Sequence, residues 1–322
     1  MRLTVQIVAA LAAFCTFATA TSQDYPIKPV RIIVPFAAGG IADTGIRALV
    51  DKLSARLGQQ VSVENRAGAN GTIGSATVAQ AAPDGYLLLL AFDGTLVIAP
   101  HVLSKVPFDT LRDFQHVTKL GDAPLILVAH PSVPAKNFQE LLAYSKQKPG
   151  ALSYGTSGTG GTPHVTGELI KLRTGIAWTH IPYKGGGQAL IDVVGGSVPL
   201  VFTAVAGASP YLRQGRIKAI AITSARRDPS VPDVPTFIAS GAPGIEANTW
   251  IGISAPPKTP RAIVDRLQRE IAAVLKEPDV RERYAALGIV PSGNTPDQFT
   301  EQIRVDLAKW AAVVKEARVT GD

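Results

Sequence analysis

Residues 30–40 read Val30-Arg31-Ile32-Ile33-Val34-Pro35-Phe36-Ala37-Ala38-Gly39-Gly40, and this stretch, with the helix it leads into, decides the fold. Val30 to Val34 is a short apolar run of the kind that forms a buried strand. Beyond the two glycines, Ile46, Leu49, Val50, Leu53 and Leu57 fall on one face of a 3.6-residue period, and Gly58 ends that helix. The same order returns at residues 152–174. Leu152-Ser153-Tyr154 reads as a strand, Gly155-Thr156-Ser157-Gly158-Thr159-Gly160-Gly161-Thr162 as a glycine-rich loop, and residues 163–174 as a helix. The two stretches are not sequence repeats. They read as equivalent corners of two similar lobes.

The alternation runs on through the chain. Further strands are expected at residues 61–63, 86–92, 124–130, 178–183, 199–203, 217–223 and 250–255. Helices are expected at 72–82, 137–148, 187–194, 208–214, 259–276, 280–287 and 295–317. Asn137 with Glu140 three residues later resembles a capping box, and Thr259-Pro260 and Thr295-Pro296 each read as a cap followed by proline at the first helical position. Alternating βαβ units predict an α/β fold of mostly parallel sheets flanked by helices. Leu125 to His130 is placed to cross between lobes. The expected division is residues 21–124 plus 251–322 for one lobe and 125–250 for the other.

Residues 1–20 read as an export signal. Arg2 supplies a positive start, an apolar stretch comes next, and Ala18-Thr19-Ala20 fits a cleavage site, which predicts a periplasmic product. Cys15 is the only cysteine and leaves with that segment, so no disulfide or cysteine metal site is expected. The remaining length suits two ordinary domains. The formal charge of +7 is dispersed, its longest basic cluster being Arg226-Arg227, which argues against a nucleic-acid partner. The histidines His101, His116, His130, His164 and His180 show no metal-ligand spacing. No cofactor is expected, and the chain is expected to be a monomer.

The chemistry sits in the two loops. A helix leaves its first backbone N–H groups without partners, and its dipole makes that end partly positive. Glycines ahead of it let a ligand approach the backbone, so each loop is a natural seat for an anion. Phe36, Ala37, Gly39 and Gly40, with Asp43 behind them, form the first candidate set. Tyr154, Thr156, Ser157, Gly158, Gly160 and His164 form the second. Asp43 caps the helix or orients a bound group, and His164 either touches a ligand or braces its loop. Nucleotide readings fail: Gly155 and Gly160 match a P-loop, but Gly161 stands where lysine is required, and no Rossmann glycine pattern comes after the first strand. Gly155-Thr156-Ser157-Gly158-Thr159 departs from a nucleophile elbow at Thr159, which leaves a hydrolase with Ser157 as nucleophile and His164 as base as the alternative enzyme reading.

The chain resembles the substrate-binding proteins of the tripartite tricarboxylate transporters, the Bug receptors. The resemblance rests on Tyr25-Pro26, Lys28-Pro29-Val30-Arg31, Val34-Pro35-Phe36 with Gly39-Gly40 and Asp43, and Val63-Glu64-Asn65-Arg66-Ala67-Gly68. It continues through Ala82-Pro83-Asp84-Gly85-Tyr86, Tyr154-Gly155-Thr156-Ser157-Gly158 with His164, Pro182-Tyr183-Lys184-Gly185-Gly186, Leu212 with Gly215-Arg216, and Pro232-Asp233-Val234-Pro235-Thr236. It implies a two-lobed periplasmic receptor of the Venus-flytrap type that holds a small carboxylate between residues 35–43 and 154–164 without chemistry. It also implies a membrane permease as partner; a signalling input fed by the same ligand is the alternative reading. The chain departs from the family's habits at Ile41-Ala42, at Phe92-Asp93-Gly94-Thr95, and at Thr203-Ala204 after Phe202. Asp93 either repels a second carboxylate, pairs with an ammonium group, or merely forms an Asp-Gly turn. Phe36, Phe92 and Phe202 near the cleft suit a monocarboxylate with an apolar or aromatic tail.

Overall fold

The computed structural model describes residues 25–183 and 185–321. The export-signal reading of residues 1–20, Cys15, and Lys184 of the Tyr183-Lys184-Gly185 motif lie outside the described residues.

In chain order the first lobe begins β1 (Val30–Val34), α1 (Ile41–Leu57), β2 (Val61–Asn65), α2 (Thr72–Ala79) and β3 (Leu87–Phe92), then a wide helical turn at Gly94–Ile98 and the short α3 (Ala99–Val102). Next come β4 (Gln115–Ala129) and α4 (Phe138–Gln147), and then the second lobe repeats the opening plan. Its elements are β5 (Ser153–Thr156), α5 (Thr162–Thr174), β6 (Thr179–Pro182), α6 (Gly186–Val194), β7 (Leu200–Ala204), α7 (Val205–Arg213) and β8 (Lys218–Ile222). The chain closes with β9 (Asn248–Ala255), α8 (Arg261–Val274), α9 (Pro278–Ala286), β10 (Val290–Pro291) and α10 (Pro296–Ala317).

Each lobe carries a parallel three-stranded unit in the same spatial order. β1 lies between β2 and β3 in one, and β5 lies between β6 and β7 in the other. Helices cover both faces of β1, which is why Ile32, Ile33 and Val34 are all buried and the strand, apart from the exposed Arg31, is apolar instead of alternating. The echo between residues 30–57 and 152–174 is therefore a topological equivalence: both are the first βα unit of a lobe. Ligands of such sheets sit beyond the carboxyl ends of the strands, where these loops lie.

The lobes are tied by β4 and β9, which run antiparallel to each other. β4 pairs with β9 as far as Pro124 opposite Asn248, and from Leu125 opposite Ala204 it pairs with β7. One strand of 15 residues thus serves both sheets. Its first half escapes a reading by alternation because the register shifts twice, between His116 and Thr118 and between Lys119 and Gly121. Gly121 is required there, since a Cβ would lie 2.6 Å from the carbonyl oxygen of Val290. Behind the sheets, α10 packs against both α5 and β4. It buries Phe299, Ile303 and Trp310 in a core that also holds Val165, Leu169 and Phe202 of the second lobe.

Three local expectations change. Thr259 is not a helix cap: its hydroxyl donates to Pro256 O at 2.8 Å, and Pro260 takes the cap position before Arg261. α7 starts at Val205, directly after β7, with Pro210 inside it. Pro210 is the sixth residue of this helix, so the helix gives up the bond that an N–H there would make to the carbonyl of Ala206. Finally, Asp93-Gly94 is no simple turn, because Asp93 already has helical angles (φ −56°, ψ −49°) and opens the fully buried segment Gly94–Ile98. The Asn137 and Thr295 caps both form, the latter as a complete capping box with Gln298.

Candidate functional site

A cleft of about 870 Å3 opens between the lobes. Four helices begin at its wall: α1 after Gly40, α5 after Gly161, α6 after Gly185 and α7 after Ala204. None of the four has a side chain capping its first amides. α4 and α10, which start away from the cleft, are capped by Asn137 and Thr295. α8 and α9 lack side-chain caps too, but do not reach the cleft with their starts. Unpaired N–H groups and positive dipole ends from both lobes therefore converge on one space.

The rest of the wall is mostly apolar, with uncharged polar side chains such as Asn70, Ser157 and Thr203 between. Phe36 and Phe92 meet edge to face, with ring centroids 4.9 Å apart, and Ile41, Leu125, Leu190 and Leu287 line the same cleft. Among the described residues that line the cleft, none is charged. An anion there would be held by backbone amides and dipoles, with no Lys or Arg supplied by those residues.

The predicted site residues fall into two groups. Phe36, Ala37, Gly39, Gly40, Phe92, Ser157, Gly158, Phe202 and Thr203 line the cleft. Asp43, Asp93, Thr95, Tyr154, Thr156, Gly160 and His164 stand behind it and hold the loops in shape. Asp43 Oδ2 accepts from the Gly39 N–H at 3.0 Å, and its Oδ1 accepts from Asn65 and Arg47 at 2.9 Å each. Burial disfavours its charge, but these donors outweigh burial and keep its carboxyl below the ordinary range. Gly39 itself has φ +91°, which few other residues tolerate. Truncating Asp43→Ala leaves the Gly39 and Asn65 donors unpaired. The expected cost is about 2 kcal/mol in denaturant unfolding, together with faster amide exchange at Gly39. An unchanged exchange rate would mean that Asp43 does not hold the loop.

The second loop is braced by histidines. His164 Nδ1 accepts from the Gly160 N–H at 3.0 Å, and the ring stacks on His180 with centroids 3.7 Å apart. His180 Nε2 meets Thr156 Oγ1 at 2.7 Å, and Thr156 Oγ1 donates to Gly158 O at 3.0 Å. Burial, and then the neighbouring His164, push His180 down to about 3, and burial lowers His164, so both rings are neutral near pH 7. Tyr154 is buried, and its hydroxyl donates to Glu168 Oε1 at 2.8 Å. In the first lobe, Thr95 Oγ1 donates to Asn70 O at 2.9 Å and fixes the turn that brings Asn70 to the cleft. Ser157 and His164 share no hydrogen bond among the described residues, because His164 is turned to Gly160 and His180.

The sequence reading missed Asn70, Thr159, Thr162, the run Gly185-Gly186-Gly187 and the start of α7 at Ala204–Ala206. The glycine run was legible as a third strand–glycine–helix corner. Asn70, with φ +54°, sits in a glycine-flanked turn and carried a weaker signal.

Two like-ordered α/β lobes, joined by crossing strands around a cleft of helix starts, define a two-lobed periplasmic binding protein. The chain belongs to the tripartite tricarboxylate transporter family receptors, whose profile matches residues 46–319. It is 37% identical over 300 residues to protein BugT of Bordetella pertussis, covering 93% of this chain and 92% of that one. The structure of R. palustris Rpa4515 with adipate superposes with a TM-score of 0.83 at 32% identity, covering 92% of this chain and 99% of the other. MatC from Rhodopseudomonas palustris with bound malate gives 0.78 at 33% identity, covering 90% and 100%.

Proposed function

We propose that the chain captures a small carboxylate by closing its lobes around it and delivers it to a membrane permease, as a monomer exported under the signal at residues 1–20. The observation that carries this reading is the convergence of four uncapped helix starts on one cleft whose described lining holds no charged side chain. Relatives with bound adipate and malate support the ligand class. The lobes part where β4 exchanges β9 for β7, between Pro124 and Leu125, which supports the boundaries expected from the sequence. Closure fits because the anion meets amides from both sides only when the lobes are shut. Binding without catalysis fits a His164 already committed to Gly160.

The ligand itself is a monocarboxylate with an apolar or aromatic tail. The carboxylate is held at the helix starts, while Phe36, Phe92 and Leu125 receive the tail. A thermal-shift panel tests this. Benzoate and phenylacetate are expected to raise Tm more than adipate, malate or citrate. A ligand at a hundred times its Kd adds about 2.7 kcal/mol of stability. A larger shift with citrate or malate would reject the apolar-tail assignment, and no shift with any carboxylate would reject the receptor reading.

A further inference from the structure

Asp93 is a buried acid for which carboxylate capture alone provides no role. It comes directly after Phe92 at the end of β3 and is 1% exposed. Its Oδ2 lies 2.5 Å from Thr162 Oγ1, while its Oδ1 has no hydrogen-bond partner. Thr162 is the first residue of α5, on the opposite lobe, and lies on the cleft wall. This bond therefore spans the lobes immediately behind one of the uncapped helix starts.

The groups that face Asp93 do not neutralise it. From β9, Trp250 Nε1 is spent on Asp306 Oδ2 at 2.9 Å. From α10 come Asp306, which opposes a second negative charge, and Lys309, whose ammonium group donates to Glu246 O. On α5, His164 and Glu168 are engaged with Gly160 and Tyr154. The backbone amides of Gly94 and Trp250 also favour the charged form and pull its carboxyl down, but neither closes a hydrogen bond to Oδ1. Burial is the largest influence, and it pushes the Asp93 carboxyl up to about 8 against the opposing pull of Thr162. A buried carboxylate with one oxygen unpaired and no bonded cation is costly, and the neutral acid, though it too leaves that oxygen unpaired, costs far less.

We propose that Asp93 is a positioning residue that ties the first turn of α5 to the floor of the first lobe as an uncharged carboxyl group, so that closure on a carboxylate ligand draws one proton onto it. The neutral acid donates to Thr162 Oγ1 and puts no charge behind the anion seat. The ionised form accepts from Thr162 and puts a negative charge there, which repels the ligand. Opening the lobes breaks the bond to Thr162 and admits water to Asp93, and the proton leaves. The closed form holds the proton more tightly than the open form. Binding is therefore strongest at low pH and weakens as pH rises from the ordinary carboxylate range toward about 8, by up to tenfold per pH unit.

This inference rests on the carboxylate-binding reading, and isothermal titration calorimetry separates the two. Full-length protein without its signal segment is titrated with benzoate and with adipate at pH 5.5 and 7.5, in buffers of differing ionisation enthalpy. The expected result is at least a tenfold loss of affinity at the higher pH and uptake of close to one proton per ligand bound. Asp93→Asn fixes the group in its uncharged form, and its expected profile is flat with no proton uptake. Binding with equal affinity at both pH values and no proton uptake in the wild-type protein overturns the proposal, whether or not the variant folds. Equal proton uptake by Asp93→Asn and wild type also overturns it. Absence of binding by either probe at either pH rejects the carboxylate reading itself.

Discussion

Substituting Gly40→Asp is expected to weaken carboxylate binding at least 100-fold, about 2.8 kcal/mol, while leaving Tm unchanged or up to a few degrees higher. Gly40 is the cap residue of α1, with φ −76° and ψ 170°, angles open to any residue. A Cβ there meets nothing within 4 Å. Aspartate is among the best cap residues, since its carboxylate accepts from amides two or three positions on and interacts favourably with the helix dipole. Those amides are the ones a ligand would use. The substitution therefore builds in a competitor: it supplies the helix with the anion it lacks and repels a second one. A purely structural Gly40 would show only the small gain in stability. Gly40→Ala is the control, because a methyl group offers no acceptor and is expected to cost less than tenfold in affinity. Full binding by Gly40→Asp, measured by titration with whichever carboxylate gives the largest thermal shift, would remove α1 from the anion seat.

The sequence carried the architecture because backbone chemistry made most of it periodic. β1 is apolar at nearly every position and α1 keeps one apolar face, so each announces its environment. Leu125 to Ala129 was legible as a crossing segment for the same reason. Its extension back to Gln115 was not, because two register shifts interrupt it and its buried positions include the polar residues His116 and Thr118. The buried turn Gly94–Ile98 was hidden in a different way. A short segment covered on all sides has no polar face, so it shows no period, and the Asp-Gly pair at its start imitates a turn.

The site was legible wherever its function lies in the backbone. Glycines mark loops that must turn or let a ligand close, and both predicted loops reach the cleft. The split between lining and support was not legible. Asp43 and His164 carry donors and acceptors suited to a ligand, yet in the structure they satisfy Gly39 and Gly160. Only distance separates a residue that binds from one that shapes its neighbour. Asp93 shows the same limit, since its partner Thr162 lies 69 positions along the chain and no local pattern links them.

That support can be tested from inside α5. Gly167→Ala is expected to cost about 2–3 kcal/mol and to lower Tm by several degrees. Gly167 faces Tyr154 across the helix–strand interface, and a Cβ would lie 2.5 Å from the tyrosine oxygen and closer still to its ring carbons. The ring has nowhere to retreat. It is fully buried, its hydroxyl is fixed to Glu168, and it packs against Trp178 at 4.9 Å, His180 at 5.2 Å and Phe202 at 5.7 Å. Helix propensity favours alanine by roughly 1 kcal/mol, so any loss measures the clash and not the backbone. Relief must come from α5 moving outward, and that displaces the helix start on the cleft wall. Affinity is accordingly expected to fall along with stability. Tyr154→Leu removes the ring that the new methyl group would strike. In the double variant the cost is therefore expected to be well below the sum of the two single costs, as for residues in direct contact. Strict additivity in denaturant unfolding would show that Gly167 and Tyr154 do not press on each other.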